Sequence, residues 1–151
     1  MADAGAPADG VIIVRVAVGD IRPLRHAVLR AGMPEDCARF VGDDDPRTIH
    51  LAARIDGALA GCASFMSSEF AGKPAWQLRG MATAPGWRRR GIGSSLLVHA
   101  DALLAVDPVR LLWCNARVTA IAFYERQGWH VVSEEFDIPT AGPHRRMVRR
   151  R

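Results

Sequence analysis

Residues 76 to 97 constrain this chain more than any other passage: Trp-Gln-Leu-Arg-Gly-Met-Ala-Thr-Ala-Pro-Gly-Trp-Arg-Arg-Arg-Gly-Ile-Gly-Ser-Ser-Leu-Leu. An apolar-rich strand candidate runs to Thr83 and is ended by Pro85 and Gly86. Three arginines then lead into Gly91-Ile92-Gly93 at the mouth of a helix in which Ile92, Leu96, Leu97, Ala100, Leu103 and Leu104 recur at helical spacing. A strand passed through a glycine loop into a helix is a device for holding phosphates. The glycines let the backbone approach an anion, and the free N–H groups and positive dipole end of the helix attract negative charge. Arginines add charge-assisted, often bidentate contacts to the same oxygens.

The loop is not a Walker motif, because no Gly-Lys-Ser/Thr follows. It is not a Rossmann fingerprint either, since Leu96 stands where a third glycine or alanine is needed. What remains is Arg88-x-x-Gly91-x-Gly93 directly after a strand. This resembles the coenzyme A pyrophosphate loop of the GNAT superfamily of N-acetyltransferases. A second passage strengthens the likeness. Leu111 to Asn115 reads as a short buried strand and Val118 to Gln127 as a helix closed by Gly128. The run from Asn115 through Phe123-Tyr124-Glu125 to Gly128-Trp129 is similar to the second signature of that superfamily.

The resemblance covers most of residues 11 to 150 and implies a mixed α/β fold. Its centre would be a mostly antiparallel sheet of six to seven strands, splayed between strands 4 and 5 and flanked by helices. It implies acetyl transfer from acetyl-coenzyme A to a primary amine of a small molecule or peptide by direct attack in a ternary complex. The backbone of Met81, Ala82 and Thr83 would lie along the pantetheine arm, with one N–H polarising the thioester carbonyl. Arg88, Arg89, Arg90, Gly91, Ile92, Gly93 and Ser94 would hold the pyrophosphate. Asn115 would contact the pantetheine through its amide, or cap the next helix. Tyr124, the only tyrosine, would protonate the departing thiolate, a role open to a phenol that keeps its proton at neutral pH; its alternative is packing on the sheet. No general base carries over: Gln77 and Arg79 occupy the strand where some members place a glutamate, and His144 either lines the acceptor pocket or sits at a strand edge. A homodimer is the family habit.

Along the chain, Val11 to Val18 predicts a strand, Ile21 to Ala31 a helix with Pro23 in its first turn, and Gly32 to Thr48 a loop or short helix. Ile49 to Ile55 and Ala58 to Ser67 predict a hairpin about Asp56-Gly57. Ser68 to Pro74 reads as a loop, and Trp129 to Glu135 and His144 to Arg149 as the last strands. The loops 32–48 and 68–74 are the expected acceptor walls, where Glu35, Asp36, Asp43, Asp44 and Asp45 would attract a cationic amine.

The chain has 151 residues, 49% of them hydrophobic, enough for one core, so a single domain is expected over 11–151 after a disordered leader over 1–10. That leader has neither a basic start nor an apolar run, and an odd set of three cysteines without metal-like spacing suits a reducing compartment. A cytoplasmic protein without membrane or metal follows. The net charge of +4 suits a polyanionic coenzyme. Two other readings stay open: a non-catalytic acyl-coenzyme A sensor of the same fold, and a basic nucleic-acid-binding module using Arg88 to Arg90, the arginine tail, and Trp76 and Trp87 as stacking platforms. The tail itself, Arg145 to Arg151, reads as a solvated edge or fraying end.

Overall fold

The computed structural model describes residues 8–151; most of the expected leader, residues 1–7, lies outside the described residues. Ala8 belongs to the fold, its amide donating to Ser95 Oγ at 2.8 Å. Eight strands and three α-helices follow, in the order β1 (Ile12–Val16), α1 (Val18–Leu29), β2 (Ile49–Ile55), β3 (Ala58–Phe70), β4 (Lys73–Thr83), α2 (Ile92–Leu104), β5 (Leu111–Arg117), α3 (Ile121–Arg126), β6 (His130–Val131), β7 (Phe136–Ile138) and β8 (Gly142–Arg150). The strands form one sheet in the order β1-β2-β3-β4-β5-β8-β6, with β7 also paired to β8. Every pairing is antiparallel except β4 with β5.

Side chains alternate across the sheet as the two-residue period of a strand requires. Ile49, Leu51, Ala53, Ala63 and Phe65 face Ile92, Leu96, Leu97, Ala100 and Leu104 of α2 in the larger core. Ala52, Cys62 and Ala82 point the other way, onto Ile21 of α1. The sheet is therefore a middle layer, and the apolar stripe read from α2 is its covering. Among the described residues no helix is long and apolar enough to cross a membrane.

Several boundaries differ from the sequence reading. Residues 68–74 are not a loop: β3 and β4 continue to a two-residue turn at Ala71-Gly72, with φ of 50° and 77°. That turn is the twin of the one at Asp56-Gly57, with φ of 50° and 80°, and both have the left-handed pair that suits tight hairpins. The single strand expected at 129–135 is shortened to β6, beyond which Ser133 Oγ rather than a backbone carbonyl accepts the Arg146 amide, and β7 forms past its expected end, at Phe136–Ile138. The arginine tail is not a fraying end. It is β8, an inner strand held between β5 and the pair β6 and β7.

The decisive irregularity lies in β4. Cys62 pairs with Ala82 but Ser64 pairs with Arg79, so Ala63 faces two residues of β4, Gly80 and Met81. Such a bulge bends its strand and raises its twist. Gly80 takes φ +65°, a conformation glycine adopts without the Cβ penalty. On the other edge, β4 pairs with β5 only at Trp76↔Leu112, Gln77↔Trp113 and Leu78↔Cys114. Beyond Leu78 the two strands part. The bulge thus sits where the parallel ladder stops, and a wedge opens between Arg79–Thr83 and Asn115–Arg117.

Candidate functional site

Two adjoining cavities fill this wedge. The first, of about 190 Å³, is walled by β4 from Gln77 to Met81 and β5 from Cys114 to Arg117, with Phe40 and Arg30 on one side and Ile138 and His144 on the other. The second, of about 390 Å³, runs from Met81 and Thr83 to Gly91, Ile92 and Gly93 at the start of α2. Met81, Thr119, Ala120 and Tyr124 line both. Chemistry that joins a ligand in one to a ligand in the other must occur at these four residues.

The second cavity ends in a cradle. Gly91 is the N-cap of α2 with φ +78°, and no side chain caps the helix. The first helical bond runs from Ser95 to Gly91 at 3.0 Å, so the amides of Ile92, Gly93 and Ser94 have no acceptor within the helix. Arg89 holds φ +60° ahead of them. A Cβ on Gly93 would lie 2.8 Å from Phe123 Cζ, so only glycine lets the helix start approach α3 this closely. These orphan amides, the helix dipole and the nearby guanidiniums of Arg89 and Arg126 fit a pyrophosphate.

The residues singled out from sequence separate into those that share the cavity and those that do not. Met81, Thr83, Arg89, Gly91, Ile92 and Gly93 line the second cavity together with Tyr124. Ala82 points into the core on the α1 face, as the alternation demands. Ser94 is fully buried and accepts a hydrogen bond from Gln127 Nε2 at 2.9 Å. Arg88 is exposed. Arg90 stacks over Trp87 at 4.6 Å, and Trp76 is a core residue, so the two tryptophans do not form an open stacking platform. Asn115 lies inside β5, lines the first cavity and caps nothing. Its Oδ1 is buried without a hydrogen-bond partner.

Tyr124 is only 7% exposed and is pinned by edge-on contacts with Phe123 and Trp129 at centroid distances of 5.2 and 5.5 Å. Its hydroxyl meets Met81 Sδ at 3.7 Å. Burial, with a smaller contribution from Cys114, raises its pKa well above the ordinary phenol value, so the group holds its proton. His144 is 4% exposed and lines the first cavity. Its Nδ1 lies 2.7 Å from the Gly142 carbonyl. A carbonyl only accepts, so Nδ1 carries the hydrogen and a neutral ring keeps its lone pair at Nε2.

Of the two expected acceptor walls, the segment 32–48 contributes Phe40 to the first cavity, whereas residues 68–74 lie at the far tip of the β3–β4 hairpin, and neither the acidic residues Glu35 and Asp36 nor Asp43 to Asp45 line that cavity. Asp43 instead receives Arg25 Nη1 at 2.8 Å and the Phe40 amide at 2.9 Å. Arg25 is fully buried and also donates to Ser64 Oγ and the Ala38 carbonyl, both at 2.9 Å. Sequence reasoning missed Gly80, Arg30, Arg117 and Arg126. A glycine inside a strand pattern is a recognised sign of a bulge, so Gly80 had a signal. The arginines had none, since α1, β5 and α3 bring them in from distant parts of the chain.

Residues 46–131 match the acetyltransferase (GNAT) domain family. An uncharacterized N-acetyltransferase of Bacillus subtilis, YitI, is 36% identical over 132 residues, 85% of this chain and 89% of that protein. Among solved structures, an acyl-CoA N-acyltransferase from Pseudomonas aeruginosa superposes with a TM-score of 0.73 at 20% identity, covering 92% of this chain and 99% of its own. A GNAT family acetyltransferase from Elizabethkingia anophelis, with acetyl-CoA bound, gives 0.70 at 12% identity, covering 94% and 99%.

Proposed function

Since this chain belongs to the GNAT family of acetyltransferases and is an acyltransferase, we propose that it moves an acetyl group from acetyl-coenzyme A to a primary amine of a small molecule or peptide, within a ternary complex. The observation that carries this reading is the pair of cavities meeting at Met81 and Tyr124, one ending in an amide cradle and the other opening between β4 and β5. Arg89, Gly91, Ile92, Gly93 and Ser94 hold the pyrophosphate, the unpaired edge of β4 from Met81 to Thr83 offers backbone groups to the pantetheine, and the orphan side-chain Oδ1 of Asn115 offers it an acceptor. Arg88 and Arg90 add long-range positive charge at the mouth. When bound, the coenzyme supplies a thioester carbonyl and a thiolate leaving group.

The chain supplies the rest. An amide on the β4 edge polarises the carbonyl through a dipole fixed before charge develops. Tyr124, kept protonated by burial, donates its proton to the sulfur as the C–S bond breaks. His144 Nε2 takes the proton lost by the ammonium of the acceptor, directly or through water, so that the nitrogen lone pair is free to form the new C–N bond; the second proton, shed by the nitrogen as the amide forms, passes through water to restore Tyr124. The test is thiol release from acetyl-coenzyme A in the presence of primary amines, paired with chromatographic detection of the N-acetyl product. Stabilisation of the protein by coenzyme A that weakens with a dephosphorylated analogue is expected alongside. No stabilisation and no amine-dependent thiol release would defeat the reading.

A further inference from the structure

The first cavity carries positive charge that no acidic residue in its wall balances. Arg30, Arg79 and Arg117 line it, and no aspartate or glutamate does. The three come from the end of α1, from β4 and from the end of β5, yet they converge. Arg30 Nη1 and Arg117 Nη2 donate to the same Leu29 carbonyl, at 2.9 and 3.0 Å. Arg30 and Arg79 both lie over the Phe40 ring, at 5.5 and 4.3 Å from its centroid. Among the described residues none of the three forms an ion pair, and the Arg79 guanidinium donates no hydrogen bond. The acid whose charge does reach Arg79, Asp43, is committed to Arg25 and the Phe40 amide.

Holding like charges together in a partly buried wall is unfavourable without an anion between them. The strain is visible in the groups themselves: burial first, then the neighbouring Arg117, lowers the pKa of Arg30, and burial followed by Arg25 lowers that of Arg79. The surplus is of guanidiniums, whose planar forks match the two oxygens of a carboxylate. At about 190 Å³ the cavity is below the roughly 300–1,000 Å³ usual for drug-sized ligands, so its occupant is small.

We propose that the acceptor is a small amine that also bears a carboxylate, a ligand of the amino-acid class, with its anion held by Arg30, Arg79 and Arg117 and its nitrogen directed toward Met81 and Tyr124. This deepens the acetyltransferase reading and rests on it. The arrangement also aids the chemistry, because the positive wall that binds the carboxylate disfavours the ammonium form of the nitrogen beside it and so releases the lone pair for attack. One proton leaves to His144 or water before attack, and the second is shed as the acetyl bonds to nitrogen and the C–S bond breaks, offsetting the proton that Tyr124 gives the thiolate, so that ammonium and thioester become amide, thiol and one released proton.

The experiment uses the full chain, acetyl-coenzyme A, and a panel of free amino acids, their matched α-carboxamides and the diamine putrescine, with thiol release as the readout. At least one free amino acid is expected to have a kcat/KM about tenfold or more above that of its carboxamide. Arg79→Gln is expected to raise KM for that amino acid by a similar factor and to remove the preference, while thermal stabilisation by coenzyme A stays as in the wild type. Arg117→Gln is the second variant should Arg79→Gln not fold. Equal use of acid and carboxamide, preference for putrescine, or release with no member of the panel by a protein that binds coenzyme A would overturn the inference and leave the coenzyme site standing. Failure to bind coenzyme A would instead remove the parent reading and this inference with it.

Discussion

Replacing Gly80 by alanine is expected to destabilise the protein by about 2–5 kcal/mol and to weaken coenzyme A binding. Gly80 holds φ +65°, where an L-residue costs roughly 1–2 kcal/mol. The added methyl would also lie 2.9 Å from Arg25 Nε and 3.0 Å from Phe40 Cε2, well inside the separation of about 3.5–4.0 Å at which heavy atoms attract. Arg25 cannot swing aside freely, since its two terminal nitrogens are tied to Ala38, Asp43 and Ser64, and forcing extra carbon into such a site costs typically about 1–3 kcal/mol. Those two contributions set the range. At roughly 2–4 °C per kcal/mol for a chain of this size, the melting temperature should fall by about 4 °C at least. Urea denaturation measures the stability, and a coenzyme A titration reports the wedge. A variant within about 0.5 kcal/mol of the wild type, with unchanged coenzyme A affinity, would refute the claim that a glycine-dependent bulge opens the sheet.

Tyr124→Phe keeps the ring contacts and loses only a weak bond to Met81 Sδ, so stability and coenzyme A affinity should hold while kcat falls about 10²–10⁴-fold; unreduced turnover would remove the acid role. Substituting both Gly91 and Gly93 by valine is expected to raise the coenzyme A dissociation constant beyond about tenfold, because Gly91 needs φ +78° and Gly93 abuts Phe123; an unaltered constant by calorimetry would count against the cradle. Burial raises the Cys62 and Cys114 thiols to about 11 and about 12, so a thiol reagent at pH 8 should label Cys37 alone in the native protein and all three after denaturation; rapid native labelling of Cys114 would contradict its burial. Burial works to raise the Asp43 carboxyl, but the hydrogen bonds from Arg25 and the Phe40 amide together outweigh it and leave the pKa lowered. The pair therefore stabilises the fold fully above the unfolded carboxylate value near about 3.9, and loses that effect as pH falls through the lowered folded value. Asp43→Asn should cost about 3 kcal/mol or more at pH 7, with the gap to wild type narrowing below about pH 4; a gap independent of pH would exclude the linkage.

Features that depend on neighbours in sequence were legible in it. The hairpin at Asp56-Gly57 and the glycine cap of α2 follow from residues that tolerate positive φ, and Tyr124 and Asn115 were found through a contiguous pattern. Features that depend on distant segments meeting were not. Ser68 to Pro74 had the composition of a loop, yet cross-strand pairing with β4 extended β3 to Phe70, leaving only two residues for the turn. Asp43 belonged to an acidic run that suggested a solvated or substrate-facing surface. Burial beside Arg25, on a helix 18 positions away, turned it into a structural counterion. The cationic wall of the first cavity was invisible for the same reason: Arg30, Arg79 and Arg117 share no periodicity, only a carbonyl and an aromatic ring that folding places between them.

A backbone amide spectrum recorded during titration with coenzyme A tests the central claim most directly, because each proposed contact is an N–H group. The resonances of Ile92, Gly93 and Ser94 and of Met81 to Thr83 should shift most, with β1 and the outer part of β2 unmoved. Shifts gathered on another face of the sheet, or a spectrum unchanged at millimolar coenzyme A, would contradict it.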